Sequence, residues 1–215
     1  MKKAILIFSL LALLTGFAEG QDKSDFSFKP ASYYTFSWNT TFTMGDFNKW
    51  VGNASPAGAV FGGRYFLANN MALGFDLGWQ RVSQSYGYQT FYGTDGSAIT
   101  ATNYRFTWMV PFQAVVAYHF GPAKLVSPYV SLGIGGDYME HHLLVQEYDA
   151  YKVRWDFSLT PEVGALVKFG NFAHWGAIVA LNYKWTTNKI ELYNDRKTDH
   201  LQMLNLKVGL CYLIR

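Results

Sequence analysis

The chain lacks most of the residues that would name a chemistry. It holds one cysteine, Cys211, which excludes an intramolecular disulfide framework and any multi-cysteine metal site. In a terminal apolar segment a lone Cys is a small apolar side chain. Proline is scarce, six in 215 residues, and no low-complexity linker divides the chain, so a single domain is expected. Charged residues reach only 15%, against about 25% for an ordinary soluble domain. Lys plus Arg at 18 nearly balances Asp plus Glu at 15, and no basic run stands out, which excludes nucleic acid as a partner. Beyond the N-terminal twenty residues there is no run of about 18 apolar residues, which excludes a helical membrane protein.

Residues 1–20 have the pattern of an export signal. Lys2 and Lys3 precede an apolar stretch from Ala4 to Leu14, and Ala18-Glu19-Gly20 supplies the small residues of a cleavage site. The apolar run is too short for a spanning helix, which needs roughly 20 residues. Cleavage after Gly20 is expected to leave Gln21 as the mature N-terminus, and no Cys follows the run to carry a lipoprotein anchor. Residues 21–32 then form a periplasmic N-terminal segment and 33–215 the folded domain.

What is abundant is aromatic and small. Aromatics make up 18% of the chain, alongside 20 glycines. Eight segments alternate with period two, the larger apolar residues sharing one parity in each. In one, Met71, Leu73, Phe75, Leu77 and Trp79 oppose Ala72, Gly74, Asp76, Gly78 and Gln80; in another, Leu204, Leu206, Val208, Leu210 and Tyr212 oppose Asn205, Lys207 and Gly209. Such alternation fits strands with one apolar face and not helices. The connections also alternate. Long polar ones are expected at Thr43–Pro56, Ser83–Asn103, Glu140–Arg154 and Thr187–Asp199, and short ones at Leu67–Asn70, around Gly121-Pro122 and at Gly170-Asn171. Outer-membrane barrels have this arrangement, with short turns in the periplasm and longer loops outside.

The orientation of the wall follows from volume. A soluble eight-stranded barrel keeps its apolar face inside, and the interior of eight strands is only wide enough to be filled by side chains. Here the apolar face carries Trp, Phe, Tyr, Leu and Val, and the other carries Gly, Ala, Ser, Thr and isolated charges. Only the second set fits inside, so the bulky face meets lipid. The expected fold is all-β, an eight-stranded antiparallel up-and-down transmembrane β-barrel. Tyr65, Phe66, Tyr118, Phe120, Tyr129, Phe169, Trp175 and Tyr212 are candidates for an interfacial aromatic girdle near the periplasmic turns.

With its export signal, Gly-flanked wall segments such as Val130-Ser131-Leu132-Gly133-Ile134-Gly135, the segment Pro161-Glu162-Val163-Gly164-Ala165 and a closing amphipathic strand, the chain resembles the OmpA/OmpX-like small outer-membrane barrels from Tyr33 to Arg215. The resemblance implies location in a bacterial outer membrane, contact with its lipid and handling by its assembly machinery. It implies no single activity, because such barrels serve as adhesins, stabilisers and enzymes. They usually end on an aromatic residue that the assembly machinery reads; this chain ends Tyr212-Leu213-Ile214-Arg215.

Candidate sites are few. His141 and His142, near Glu140 and Glu147, read as a solvated pair in an outer loop. Neighbouring strand residues point to opposite faces, which disfavours joint metal ligation, and no His-x-Ser signature of barrel lipid deacylases is present. Tyr86, Tyr88, Phe91 and Tyr92 form a candidate binding surface in the second outer loop, since Tyr among small polar residues makes adaptable contacts; the same loop could instead extend the barrel as a hairpin. Pro111 and Pro161 fall inside strands and predict bulges or kinks. The inward parity collects Arg64, Asp76, Arg105, Asp156, Glu162, Lys168, Lys184 and Lys207, a lumen charge cluster expected to plug the barrel. No cofactor or metal is indicated, and a monomer is expected. The expected function is non-enzymatic: four outer loops presented for structural, adhesion or binding roles, with an extracellular ligand as a candidate partner. The alternatives are a lipid-modifying barrel enzyme and a narrow, porin-like solute channel.

Overall fold

A computed structural model of the protein describes residues 28–92, 96–145, 148–190 and 200–215; the export signal and Gln21 lie outside them. Eight strands run in chain order: β1 (Ser32–Met44), β2 (Gly58–Phe66), β3 (Met71–Tyr92), β4 (Ala98–His119), β5 (Val126–Val145), β6 (Tyr148–Lys168), β7 (Trp175–Thr186) and β8 (Leu201–Ile214). Each pairs antiparallel with its neighbours, and β1 pairs with β8 from Ser32↔Ile214 to Met44↔Gln202, which closes the barrel. Closure leaves the wall without an edge. One short helix, α1 (Gly45–Trp50), follows β1.

The alternation seen in the sequence is the alternation of the wall. Along β4 the burial changes residue by residue from Pro111 to His119: Val115 is 2% exposed and Val116 47%. Phe36, Trp38, Phe75, Leu77, Phe112, Phe157 and Leu206 lie exposed on the outside, the face that lipid covers.

Neither proline makes a bulge. At Pro111 the β3–β4 ladder is interrupted between Leu77↔Phe112 and Gln80↔Met109 and resumes in the same register, while pairing with β5 is continuous. Pro161 interrupts the β6–β7 ladder between Leu159↔Trp185 and Glu162↔Asn182 in the same way. A proline lacks one donor, and the register survives because a strand's donor serves only one neighbour. The bulge lies instead at Gly87, between Tyr86↔Asn103 and Tyr88↔Thr102.

Two expected loops are largely strand. β3 runs through Ser83 to Tyr92 and β4 begins at Ala98; β5 runs to Val145 and β6 begins at Tyr148. A bilayer needs about 9–11 residues per strand, and β3 and β4 have 22 each. Beyond lipid the outward positions no longer need apolar residues, so the alternation fades from the sequence while the pairing continues. β2 ends its pairing at Gly58↔Gln80 and β7 at Thr186↔Ser158. The outer part of β3 to β6 is therefore a four-stranded sheet standing above the barrel. Among the described residues its two flanks, β3 beyond Arg81 and β6 before Phe157, have no ladder partner.

Candidate functional site

The lumen gathers charges where small inward residues make room for them. Arg64 on β2 donates to Asp76 Oδ1 on β3 at 2.8 Å, and Lys207 on β8 lies 3.3 Å from Asp76 Oδ2 and 2.8 Å from Glu162 Oε2 on β6. Tyr129 donates its hydroxyl to Glu162 Oε1 at 2.7 Å and Asn182 its amide to Oε2 at 3.1 Å. Gly62 is the enabling residue: a Cβ there would sit 2.4 Å from Asp76 Oδ1. Lys184 pairs at 2.6 Å with Asp137. The belt thus balances Arg64, Lys184 and Lys207 against Asp76, Asp137 and Glu162. Buried charges persist when paired and hydrogen-bonded in this manner. A polar cavity of about 30 Å³ lies between these groups, with Asn39, Gln80 and Asn205 on its lining, enough for one or two water molecules.

Of the eight charges assigned to the lumen by parity, Arg64, Asp76, Glu162 and Lys207 converge, and Lys184, paired with Asp137, lines the same cavity as Asp76 and Lys207. The other three do not. Arg105 lies at the outer mouth, its guanidinium 4.4 Å from the Tyr86 ring centre and 4.9 Å from that of Trp50. Asp156 faces Arg154 at 3.7 Å. Lys168 sits at the periplasmic end, donating to the carbonyls of Phe28 and Pro122 at 2.6 and 2.8 Å. Parity assigns a face but not a depth, and that difference separates the two groups. Asp137 lies on the inward parity too; only its pairing with Lys184, two strands away and 47 residues along the chain, marks it as part of the belt.

Apolar groups seal the belt on both sides. On the outer side α1 folds into the mouth and brings Phe47, Trp50 and Val51 against Met109, Met139 and Met203 of the wall. Thr43 donates to the Val51 carbonyl at 2.5 Å, Tyr86 to the Trp50 carbonyl at 3.0 Å, and the Gly52 amide to Gln84. On the periplasmic side Tyr33, Phe66, Leu166 and Leu213 pack together. His119 joins them, bonded to the Tyr33 hydroxyl at 3.0 Å. Phe66 and Tyr129 therefore face the lumen, not the lipid girdle expected for them: each is on the inward parity of its strand. Tyr65, Tyr118, Phe120, Phe169, Trp175 and Tyr212 are exposed on the outside.

The histidine pair is in a strand and not in a solvated loop. His141 points inward, fully buried, between Thr107 (2.9 Å) and Asn188 (3.0 Å). A hydroxyl, an imidazole and an orienting amide in sequence are the parts of a nucleophilic site, yet all three residues are 0% exposed, so no substrate reaches them. Their effect is to staple the start of the fourth outer connection into the barrel mouth. His142 points outward, stacked on Phe106 at 4.3 Å and bonded to Asp149 at 3.0 Å. Among the described residues no Ser, Thr or Cys hydroxyl or thiol hydrogen-bonds with it.

In the second outer hairpin the bulge at Gly87 reverses parity. Tyr86, before the bulge, keeps the inward parity of β3 and holds α1, while Tyr88 and Tyr92, beyond it, turn outward and are exposed at 80% and 61%. Tyr148 and Tyr151 on β6 are likewise exposed. The Phe91 side chain lies outside the described residues.

No family model matches the chain, and no curated protein matches it. Among solved structures the chain is similar to Neisserial surface protein A, at 12% identity over 86% of this chain and 97% of that one, with a TM-score of 0.50. Outer membrane protein OprG from Pseudomonas aeruginosa matches at 12% identity over 86% and 97%, TM-score 0.49. The attachment invasion locus protein Ail of Yersinia pestis matches at 11% over 84% and 95%, TM-score 0.44. The fold is that of the small eight-stranded outer-membrane barrels, and the wall chemistry above agrees with it.

Proposed function

We propose that this chain is a non-enzymatic outer-membrane barrel whose projecting β3–β6 sheet binds an extracellular partner. One observation carries the reading: the wall continues past the membrane on one side only, as a four-stranded sheet with exposed tyrosines and two strand flanks unpaired among the described residues. Unpaired flanks offer backbone donors and acceptors to an added strand, and Tyr side chains supply contact area at low entropic cost. The sealed, charge-neutral belt speaks for a stable plug and against solute conduction. The inaccessibility of Thr107, His141 and Asn188 speaks against acyl-transfer chemistry at that site. The remaining assignments accord with this reading: export with cleavage after Gly20, a domain from residue 33 onward, a monomer, and no cofactor.

The test is site-specific photo-crosslinking on intact cells, with the crosslinker placed at Tyr88 or Tyr151 and, as control, at Leu67 in a periplasmic turn. Discrete adducts from the two sheet positions, absent from Leu67 and reduced by a proline at Val153 on the β6 flank, are expected. Adducts indistinguishable between the sheet and the turn would overturn the proposal.

A further inference from the structure

On the lipid-facing wall one basic side chain breaks the pattern. Among the described residues Arg81 is the only Arg or Lys on the outward parity of a strand; Arg64, Arg105, Lys152, Arg154, Lys168, Lys184 and Lys207 all lie on the inward parity. A charge costs several kcal/mol at the bilayer midplane and almost nothing at the interface, so its height decides what it meets. Arg81 lies one outward row beyond Trp79, and its cross-strand partners in that row are Trp108, Glu140 and Val153. The row beneath holds Tyr138 and the exposed Trp155. Aromatic rings of this kind mark the interface, which puts Arg81 at the level of outer-leaflet headgroups.

The side chain is held but not neutralised. Its guanidinium carbon sits 5.0 Å from the Phe106 ring centre and 5.3 Å from that of Trp108. Nη2 donates to the Tyr104 hydroxyl at 3.3 Å. No carboxylate pairs with it among the described residues. The nearest acid in its row, Glu140, is two strands away, roughly 10 Å at ordinary strand spacing, and is engaged by Tyr138 and by His142 at 3.5 Å. A guanidinium presents a planar fork of donors that matches a phosphate; here Nε is buried and Nη2 gives one hydrogen to Tyr104, which leaves the remaining Nη hydrogens for a phosphate. Tyr104, accepting from Arg81, keeps its own proton to donate outward. A positive fork with an adjoining hydroxyl donor, stacked on rings and set above an apolar wall, complements an amphiphile with a phosphate at its head and acyl chains below.

We infer that Arg81, with Tyr104, binds the phosphate of an outer-leaflet lipid whose acyl chains run down the wall over Trp79 and Leu77. This site is separate from the projecting sheet proposed to bind a partner, and it depends only on the barrel's place in the membrane.

The test uses the folded full-length protein in detergent micelles, with bound lipid counted by native mass spectrometry. Three probes are compared: phosphorylated lipid A, the same lipid with its phosphates removed, and inorganic phosphate as competitor. The phosphorylated lipid is expected to bind at least about tenfold more strongly than the dephosphorylated one, the scale of one charge-assisted contact. R81Q should remove that preference and R81K retain part of it, each variant keeping the parent's heat-modifiable gel mobility. Y104F, which leaves the charge in place, should weaken the preference by a few fold. Equal binding of the two lipids by the unmodified protein overturns the inference whether or not any variant folds. Displacement by inorganic phosphate at millimolar concentration, with equal lipid binding, would mark a bare anion site and overturn it too. An unchanged preference in folded R81Q would do the same.

Discussion

Lys184 on β7 donates to Asp137 on β5 across 2.6 Å, over the intervening β6, with side chains 3% and 0% exposed. The two are nearly fifty residues apart, and each is the counter-charge that makes the other tolerable in the lumen. Removing one partner of a buried pair leaves an uncompensated charge, whereas replacing both with apolar groups of similar size is close to neutral. D137A is therefore expected to lower the unfolding free energy by about 3–5 kcal/mol. The double change D137L/K184M should recover most of that loss. Urea titration in lipid vesicles, read by the gel mobility of folded and unfolded forms, measures both. Equal stability of D137A and the parent would show that the pair contributes nothing.

Glu162 accepts from Lys207, Tyr129 and Asn182 at 2.8, 2.7 and 3.1 Å. E162A strands Lys207 with only Asp76, already shared with Arg64, and should cost about 3–5 kcal/mol. E162Q keeps an acceptor and should cost less. Neither variant should conduct, because the apolar seals at both ends are untouched. A steady ohmic current from the unmodified protein in planar bilayers would instead establish an open lumen.

Phe75 is exposed on the wall at 44%, whereas Asn53 lies exposed in the first outer connection. F75R should destabilise the barrel by about 2–4 kcal/mol and N53R by close to nothing, since the cost of Arg depends on its depth in lipid. The same vesicle titration decides, and equal costs would reverse the assignment of faces.

Trp50 holds α1 in the mouth through its packing with the inner methionines and its stack with Arg105. Truncating it should open the outer seal locally while the barrel stays closed, because α1 is anchored by few contacts compared with the strand ladders. An M139C reporter, buried beneath that seal, should react with a membrane-impermeant maleimide about tenfold faster in a W50A background. Native Cys211, buried at the periplasmic end, should stay unreactive in both until the protein is boiled. Equal reactivity of M139C in the two backgrounds would show that Trp50 does not hold the seal.

The barrel itself was legible because its signal is local. Every strand that crosses lipid must put an apolar residue outward at every second position, and Met71 to Trp79 does so without a break. The lumen was half legible. Parity marked Arg64, Asp76, Glu162 and Lys207 as inward, but gave Arg105 and Lys168 the same mark although they sit at opposite ends. Phe66 and Tyr129 misled for a related reason: an aromatic near a turn fits both a girdle and a plug, and only its parity against its neighbours distinguishes them.

Composition and period alone determined the class of the protein and the face of the wall that meets lipid, since these depend on neighbours in the chain. Tertiary structure decided what depends on the ring closing. It matched Lys184 with Asp137 across a strand and drew α1 into the mouth. It also turned Tyr88 away from the inward side of Tyr86 through the extra residue at Gly87, and set Arg81 on the outer face with no carboxylate paired to it among the described residues. Such relations are set by register between strands far apart in sequence, and a register is a property of the assembled wall.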